Sequence, residues 1–124
     1  MKDHIVGHCP EACGTVRSVL ARVGDSWSVL VILALDGMGT MRFNELKRHL
    51  GISQRMLSLT LRELERDGML RRTVFDTQPP RVEYELTPLG QSFGAPIRGL
   101  GAWAIENLAQ IDTARSAYDA RLAP

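Results

Sequence analysis

Cysteine is scarce in this chain. Two cysteines in 124 residues, Cys9 and Cys13, are too few for a disulfide scaffold and predict a protein of a reducing compartment, the cytoplasm. Long apolar runs are absent as well. The longest, Val29 to Leu35, has seven residues, against the roughly 18 that a membrane span requires, so no membrane partner is expected. The opening Met1-Lys2-Asp3-His4 leads into no hydrophobic stretch, which predicts no secretory signal. Nor is there an excess of one charge: 15 Lys and Arg against 14 Asp and Glu leave a net +1, which excludes a chain that is basic throughout. Signatures of catalysis are missing too. Asp25, Ser26 and Ser28 have no histidine nearby in the sequence to activate a hydroxyl, and His49 stands alone. Gly37 and Gly39 lack the spacing and the lysine of a phosphate loop. No enzyme, cofactor or metal is expected.

A hydrophobic content of 44% with 23% charged residues predicts one globular domain. The divisions expected are an arm over 1–14, a domain over 15–112 and a tail over 113–124. Val16, Val19, Leu20 and Val23 recur at i, i+3, i+4 and i+7 and predict a first helix ended by Gly24. Asp25 or Ser26 caps a second, nearly all-apolar helix over Trp27 to Leu35. After a short extended piece, Thr40-Met41-Arg42, Phe43 to Leu50 reads as a third helix of about two turns. Gly51 turns the chain, and Ser53 caps a fourth helix running to Asp67, with Met56, Leu57, Leu61 and Leu64 inward. Gln54, Arg55, Ser58, Arg62 and Glu65 point outward.

Two extended runs, Leu70 to Phe75 and Val82 to Leu86, flank the polar, proline-bearing stretch Asp76 to Arg81, and predict a hairpin. Thr87-Pro88 starts a last helix carrying Leu89, Phe93, Ile97, Leu100, Trp103, Leu108 and Ile111. The fold class is therefore mainly α with a small β-hairpin, in the order of a winged helix-turn-helix.

Charge is concentrated where such a fold meets DNA. Between Arg42 and Arg81 lie nine basic and five acidic residues, a net +4, which leaves −3 for the rest of the chain. A local basic segment on a neutral protein suits phosphate binding with counterion release. The fourth helix is expected in the major groove, where Ser53, Gln54 and Arg55 have donors and acceptors for base edges and phosphates. Ser58, Leu59 and Arg62 follow on the same side; Leu59 either meets a thymine methyl or belongs to the core. Arg42 just before the third helix, Asn44 on it, and Arg71, Arg72 and Arg81 in the wing are expected to fix the protein on the DNA backbone. The alternative for the wing is strand-edge charge that blocks aggregation.

Several segments together carry a family resemblance. Gly24-Asp25-Ser26-Trp27-Ser28-Val29-Leu30, Arg42-Phe43-Asn44-Glu45-Leu46, Ile52-Ser53-Gln54-Arg55-Met56-Leu57, Leu61-Arg62-Glu63-Leu64-Glu65, Asp67-Gly68 and Pro80-Arg81-Val82-Glu83-Tyr84-Glu85-Leu86-Thr87 resemble the HxlR-type winged helix-turn-helix regulators of bacterial transcription. The resemblance runs from about Cys13 to Leu108. It implies a homodimer on a two-half-site operator, joined through the first and last helices; position 59 departs from the family's glutamine. The apolar stripes support a dimer independently. Val16, Val19, Leu20 and Val23 with Phe93, Ile97, Leu100, Trp103 and Leu108 exceed what so small a core encloses.

The arm reads His4-x3-His8-Cys9-Pro10-Glu11-x-Cys13 and stays open to three readings. Members of the resembled family carry a cysteine shortly before the first helix that senses quinones, aldehydes or oxidants. Cys13 is nearest that position, whereas Cys9 has the adjoining proline of the motif. A metal-responsive site is the second reading, although the His and Cys pairs lack the usual intervening loop. An arm without chemistry is the third. The function expected is a sequence-specific DNA-binding regulator, a repressor with an unknown inducer. The rival function is a winged helix that binds protein rather than DNA.

Overall fold

A computed structural model describes residues 10–124, with side chains from residue 14 onward. In chain order the elements are α1 (Pro10–Gly24), α2 (Ser26–Met38), β1 (Met41–Arg42), α3 (Phe43–Leu50), α4 (Gln54–Arg66), β2 (Leu70–Phe75), β3 (Arg81–Leu86), α5 (Pro88–Glu106) and α6 (Leu108–Leu122). This is the winged helix-turn-helix order: a short helix, a glycine turn, a longer helix and a hairpin.

Local chemistry sets most boundaries. Asp25 caps α2, its Oδ1 accepting from the Trp27 N–H at 3.2 Å and its Oδ2 from the Ser28 hydroxyl at 2.8 Å. The second bond satisfies a hydroxyl that is buried in the core. Glu45 reaches back from the third position of α3 to accept from the Arg42 N–H at 2.7 Å. Gly51 takes the left-handed conformation at φ 66°, which lets α4 leave at an angle to α3. The Thr87 hydroxyl accepts from the Gly90 N–H at 3.1 Å and donates to the Gly68 carbonyl at 2.6 Å, so one side chain joins the start of α5 to the end of α4. Gly90 then passes so close to the residue before β2 that a Cβ there would stand 1.9 Å from the Met69 carbonyl oxygen; only glycine fits.

The sheet has three antiparallel strands in the order β1-β3-β2, with Met41 opposite Tyr84 and Leu70 opposite Leu86. The third strand is the extended Met41-Arg42 piece, too short for alternation to reveal its pairing. The core gathers Val31, Ile32 and Leu35 of α2, Leu46 of α3, Leu57, Leu61 and Leu64 of α4, Tyr84 and Leu86 of β3, and Ile97 of α5. Each buried aliphatic side chain of this kind contributes about 1.5–3 kcal/mol.

Four expectations need correction or extension. Met56 is not an inner residue: it is exposed, and Thr60 is buried instead. The buried stripe of α4 is Leu57, Thr60, Leu61 and Leu64, at i, i+3, i+4 and i+7, and helical phase prevails over side-chain polarity. Ile97 belongs to the chain's own core at 2% exposure, and Phe93 packs against that core, so neither adds to the apolar face left uncovered. Leu20, Leu100, Trp103 and Leu108 do remain exposed, while Val16, Val19 and Val23 are half-buried. The last helix is two, broken at Asn107, and the tail continues as helix to Leu122. Finally, α1 begins at Pro10, ahead of the apolar stripe. Cys13 therefore falls within a helix, although its side chain, like all of Cys9, His4 and His8, lies outside the described residues.

Candidate nucleic-acid interface

Helix α4 owes its exposed face to its own periodicity. With Leu57, Thr60, Leu61 and Leu64 held inward, the opposite side is Arg55, Leu59, Arg62 and Arg66, at i, i+4, i+7 and i+11. All four are exposed. Ser53 caps the helix, its hydroxyl accepting from the Met56 N–H at 3.1 Å. That cap orients the first turn, where Ser53, Gln54 and Arg55 stand free in solvent. The uncompensated N–H groups of a helix start also favour an approaching phosphate.

Beside α4 the wing completes a concave surface. Ser58, Leu61, Arg62 and Glu65 line one wall of a cleft of about 190 Å³ whose other wall is Arg72 and Tyr84. On the far side of the wing, Arg42, Asn44 and Arg48 of the β1–α3 segment face the wing tip, Thr77 to Arg81, across a cleft of about 740 Å³. The structure thus brings Ser58, Arg62 and Arg72 together, and separately Arg42, Asn44 and Arg81. Gln54, Arg55 and Leu59 border neither cleft.

The electrostatics are sharper than the residue count implies. Of the nine basic residues between Arg42 and Arg81, two are engaged. Arg71 meets Glu85 at 3.3 Å, and Arg81 lies 2.9 Å from Glu83 with its guanidinium 4.3 Å from the Phe75 ring centroid. Arg42, Lys47, Arg48, Arg55, Arg62, Arg66 and Arg72 form no ion pair among the described residues.

Two of the five acids in the same segment are neutralised from outside it. Arg22 on α1 hydrogen-bonds Asp67 through Nε at 2.7 Å and Glu63 through Nη1 at 3.3 Å, with its side chain only 16% exposed. These pairs leave the free charge of the surface predominantly positive.

Arg22 is the residue that sequence reasoning missed. Its signal was present: an arginine beside Val23 and three residues after Val19 on the apolar side of α1, and two carboxylates one turn apart at the negative end of α4, where acids are unfavourable without a cation. The hydrogen bond to Asp67 is the main reason the Arg22 guanidinium holds its proton more tightly than usual, against the opposing effect of burial.

Comparison with known proteins agrees with this geometry. The HxlR-like helix-turn-helix family model matches residues 22–112. An uncharacterized HTH-type transcriptional regulator of Escherichia coli K12, YtfH, is 42% identical over 96 residues, covering 77% of this chain and 75% of the relative. Among solved structures, the transcriptional regulator YtfH of Salmonella typhimurium superposes with a TM-score of 0.74 at 41% identity, over 82% of this chain and 90% of that one. The reduced form of the redox regulator HypR gives a TM-score of 0.73 at 35% identity, over 80% and 98%. By family match, relatives and fold alike, the chain belongs to the HxlR-like helix-turn-helix family of DNA-binding transcriptional regulators.

Proposed function

We propose that the protein is a homodimeric, sequence-specific repressor that works in the cytoplasm by occluding a promoter. Helix α4 enters the major groove and reads bases with Gln54 and Arg55, while Arg42, Asn44 and the wing arginines contact the phosphate backbone. The observation that carries this reading is the free stripe of α4. It is a capped helix presenting Arg55, Arg62 and Arg66 outward with no intramolecular ion pair among the described residues. Cations left unpaired on one face fit a polyanion better than a protein partner. Dimerisation places two such helices on one duplex; its support is the exposed apolar surface of Leu20, Leu100, Trp103 and Leu108. Replacing Arg55 by alanine is expected to cost about 1–3 kcal/mol of operator affinity and to relax preference at one base position. An equal loss on every sequence would make Arg55 a phosphate contact only.

A thiol-sensing input is supported by the likeness to the redox regulator HypR and by the presence of Cys9 and Cys13 near the start of α1. Diamide or a quinone is expected to change operator affinity in the wild type, and Cys9→Ser or Cys13→Ser to abolish the response. An unchanged affinity in the treated wild type contradicts sensing by either thiol.

A further inference from the structure

Leu59 occupies a place on α4 that folding does not explain. The buried residues Leu57, Thr60, Leu61 and Leu64 define the inner direction of the helix. At roughly 100° per residue, Leu59 lies about 150° round from the centre of that face. It is 44% exposed, the apolar residue in a stripe otherwise made of Arg55, Arg62 and Arg66. Met56, three residues earlier and so its neighbour on the helix surface, is also exposed. An apolar pair framed by unpaired guanidinium groups is a poor fit for the apolar face of a protein, because docking there would strip water from Arg55 and Arg62 without pairing them.

Duplex DNA meets both demands. Its phosphates and acceptor edges take the arginines, and its major groove displays one apolar group on the bases, the C5 methyl of thymine.

The geometry points to the thymine methyl as the ligand of the Leu59–Met56 pair, with Leu59 as a specificity-determining residue at the centre of the recognition face. This rests on the proposed entry of α4 into the major groove and adds the chemical group recognised there. Leu59 discriminates in two ways: it gains contact with the methyl, and it leaves the exocyclic amine of a cytosine at the same step without a partner.

The test uses the full-length protein and DNA that it enriches from a random duplex pool. Thymines of the enriched site are replaced singly by deoxyuridine, which keeps the Watson–Crick and O4 groups and lacks only the methyl. In the wild type, replacement at one or two positions of a half-site is expected to weaken binding about fourfold, and in both half-sites about fifteenfold. In Leu59→Ala, a change outside the core cluster, the thymine-to-uracil ratio at those positions is expected to fall to near one. Met56→Ala should lower it partly. Indifference of the wild type to every replacement overturns the proposal, as does a ratio that survives in Leu59→Ala, and in both cases base reading by α4 stands. A pool that yields no enriched sequence overturns base reading itself, and the methyl contact with it.

Discussion

Arg72 and Arg81 stand on adjacent strands of the wing, but their guanidinium groups are not equally available. Arg81 is held by Glu83 and lies over the Phe75 ring, so a phosphate must compete for it. Arg72 is exposed, has no ion pair among the described residues and borders the cleft beside Arg62. Replacing Arg72 by alanine is expected to flatten the slope of log affinity against log salt by about 0.9, the signature of one lost phosphate contact. Arg81→Ala should flatten it less. An unchanged slope in Arg72→Ala contradicts a phosphate contact there.

Sequence and structure part company at just this level of detail. That the wing carries arginines is legible in the residue order; which of them is free is less so, because the Arg71–Glu85 pair is set by cross-strand register, whereas Arg81 and Glu83 stand two residues apart on one face of β3. Likewise Leu59, core or surface on sequence alone, is resolved by the buried stripe of its helix, which Thr60 rather than Met56 completes.

At the scale of elements, helix α4 is gripped at both ends. Ser53 caps its start and Arg22 binds Glu63 and Asp67 at its close. The Arg22 contact crosses more than forty residues of chain and ties α1, the element that carries Cys13, to the end of α4. Replacing Arg22 by alanine is expected to destabilise the fold by about 1–2 kcal/mol, since two carboxylates lose a partly buried hydrogen-bonded partner. Urea denaturation measures it; an unmoved midpoint contradicts the grip. Because the folded state raises the pKa of Arg22, this contribution is fully present at neutral pH, below the unfolded value of that guanidinium. On the alkaline side it is lost as pH rises through the folded value.

The helices themselves were legible, since caps and glycines at Asp25, Gly51, Ser53, Gly68 and Thr87 mark their ends chemically. Three features were not. Strand β1 has two residues and no period; the break at Asn107 has no glycine or proline to announce it; and α6 buries none of its residues, so no apolar stripe distinguished it from a fraying tail.

At the scale of the molecule, two surfaces stand out. One is the arginine-bearing face of α4 with its flanking wing. The other is the apolar surface of Leu20, Leu100, Trp103 and Leu108, left uncovered because Ile97 and Phe93 turn inward to the chain's own core. The apolar excess was evident in the sequence, but its division between core and surface depends on how α5 rotates against α2, which periodicity along one helix does not specify.

If the second surface joins two copies, the first is presented twice to one duplex, and operator symmetry follows from protein symmetry. Selection of bound DNA from a random duplex pool tests this most directly. The expected result is an enriched inverted repeat whose half-site centres lie about one helical turn apart or a multiple of it, with a different or weaker consensus for Arg55→Ala. Absence of any consensus, a single unrepeated site, or the same consensus from Arg55→Ala at undiminished affinity would contradict a paired α4 reading the major groove.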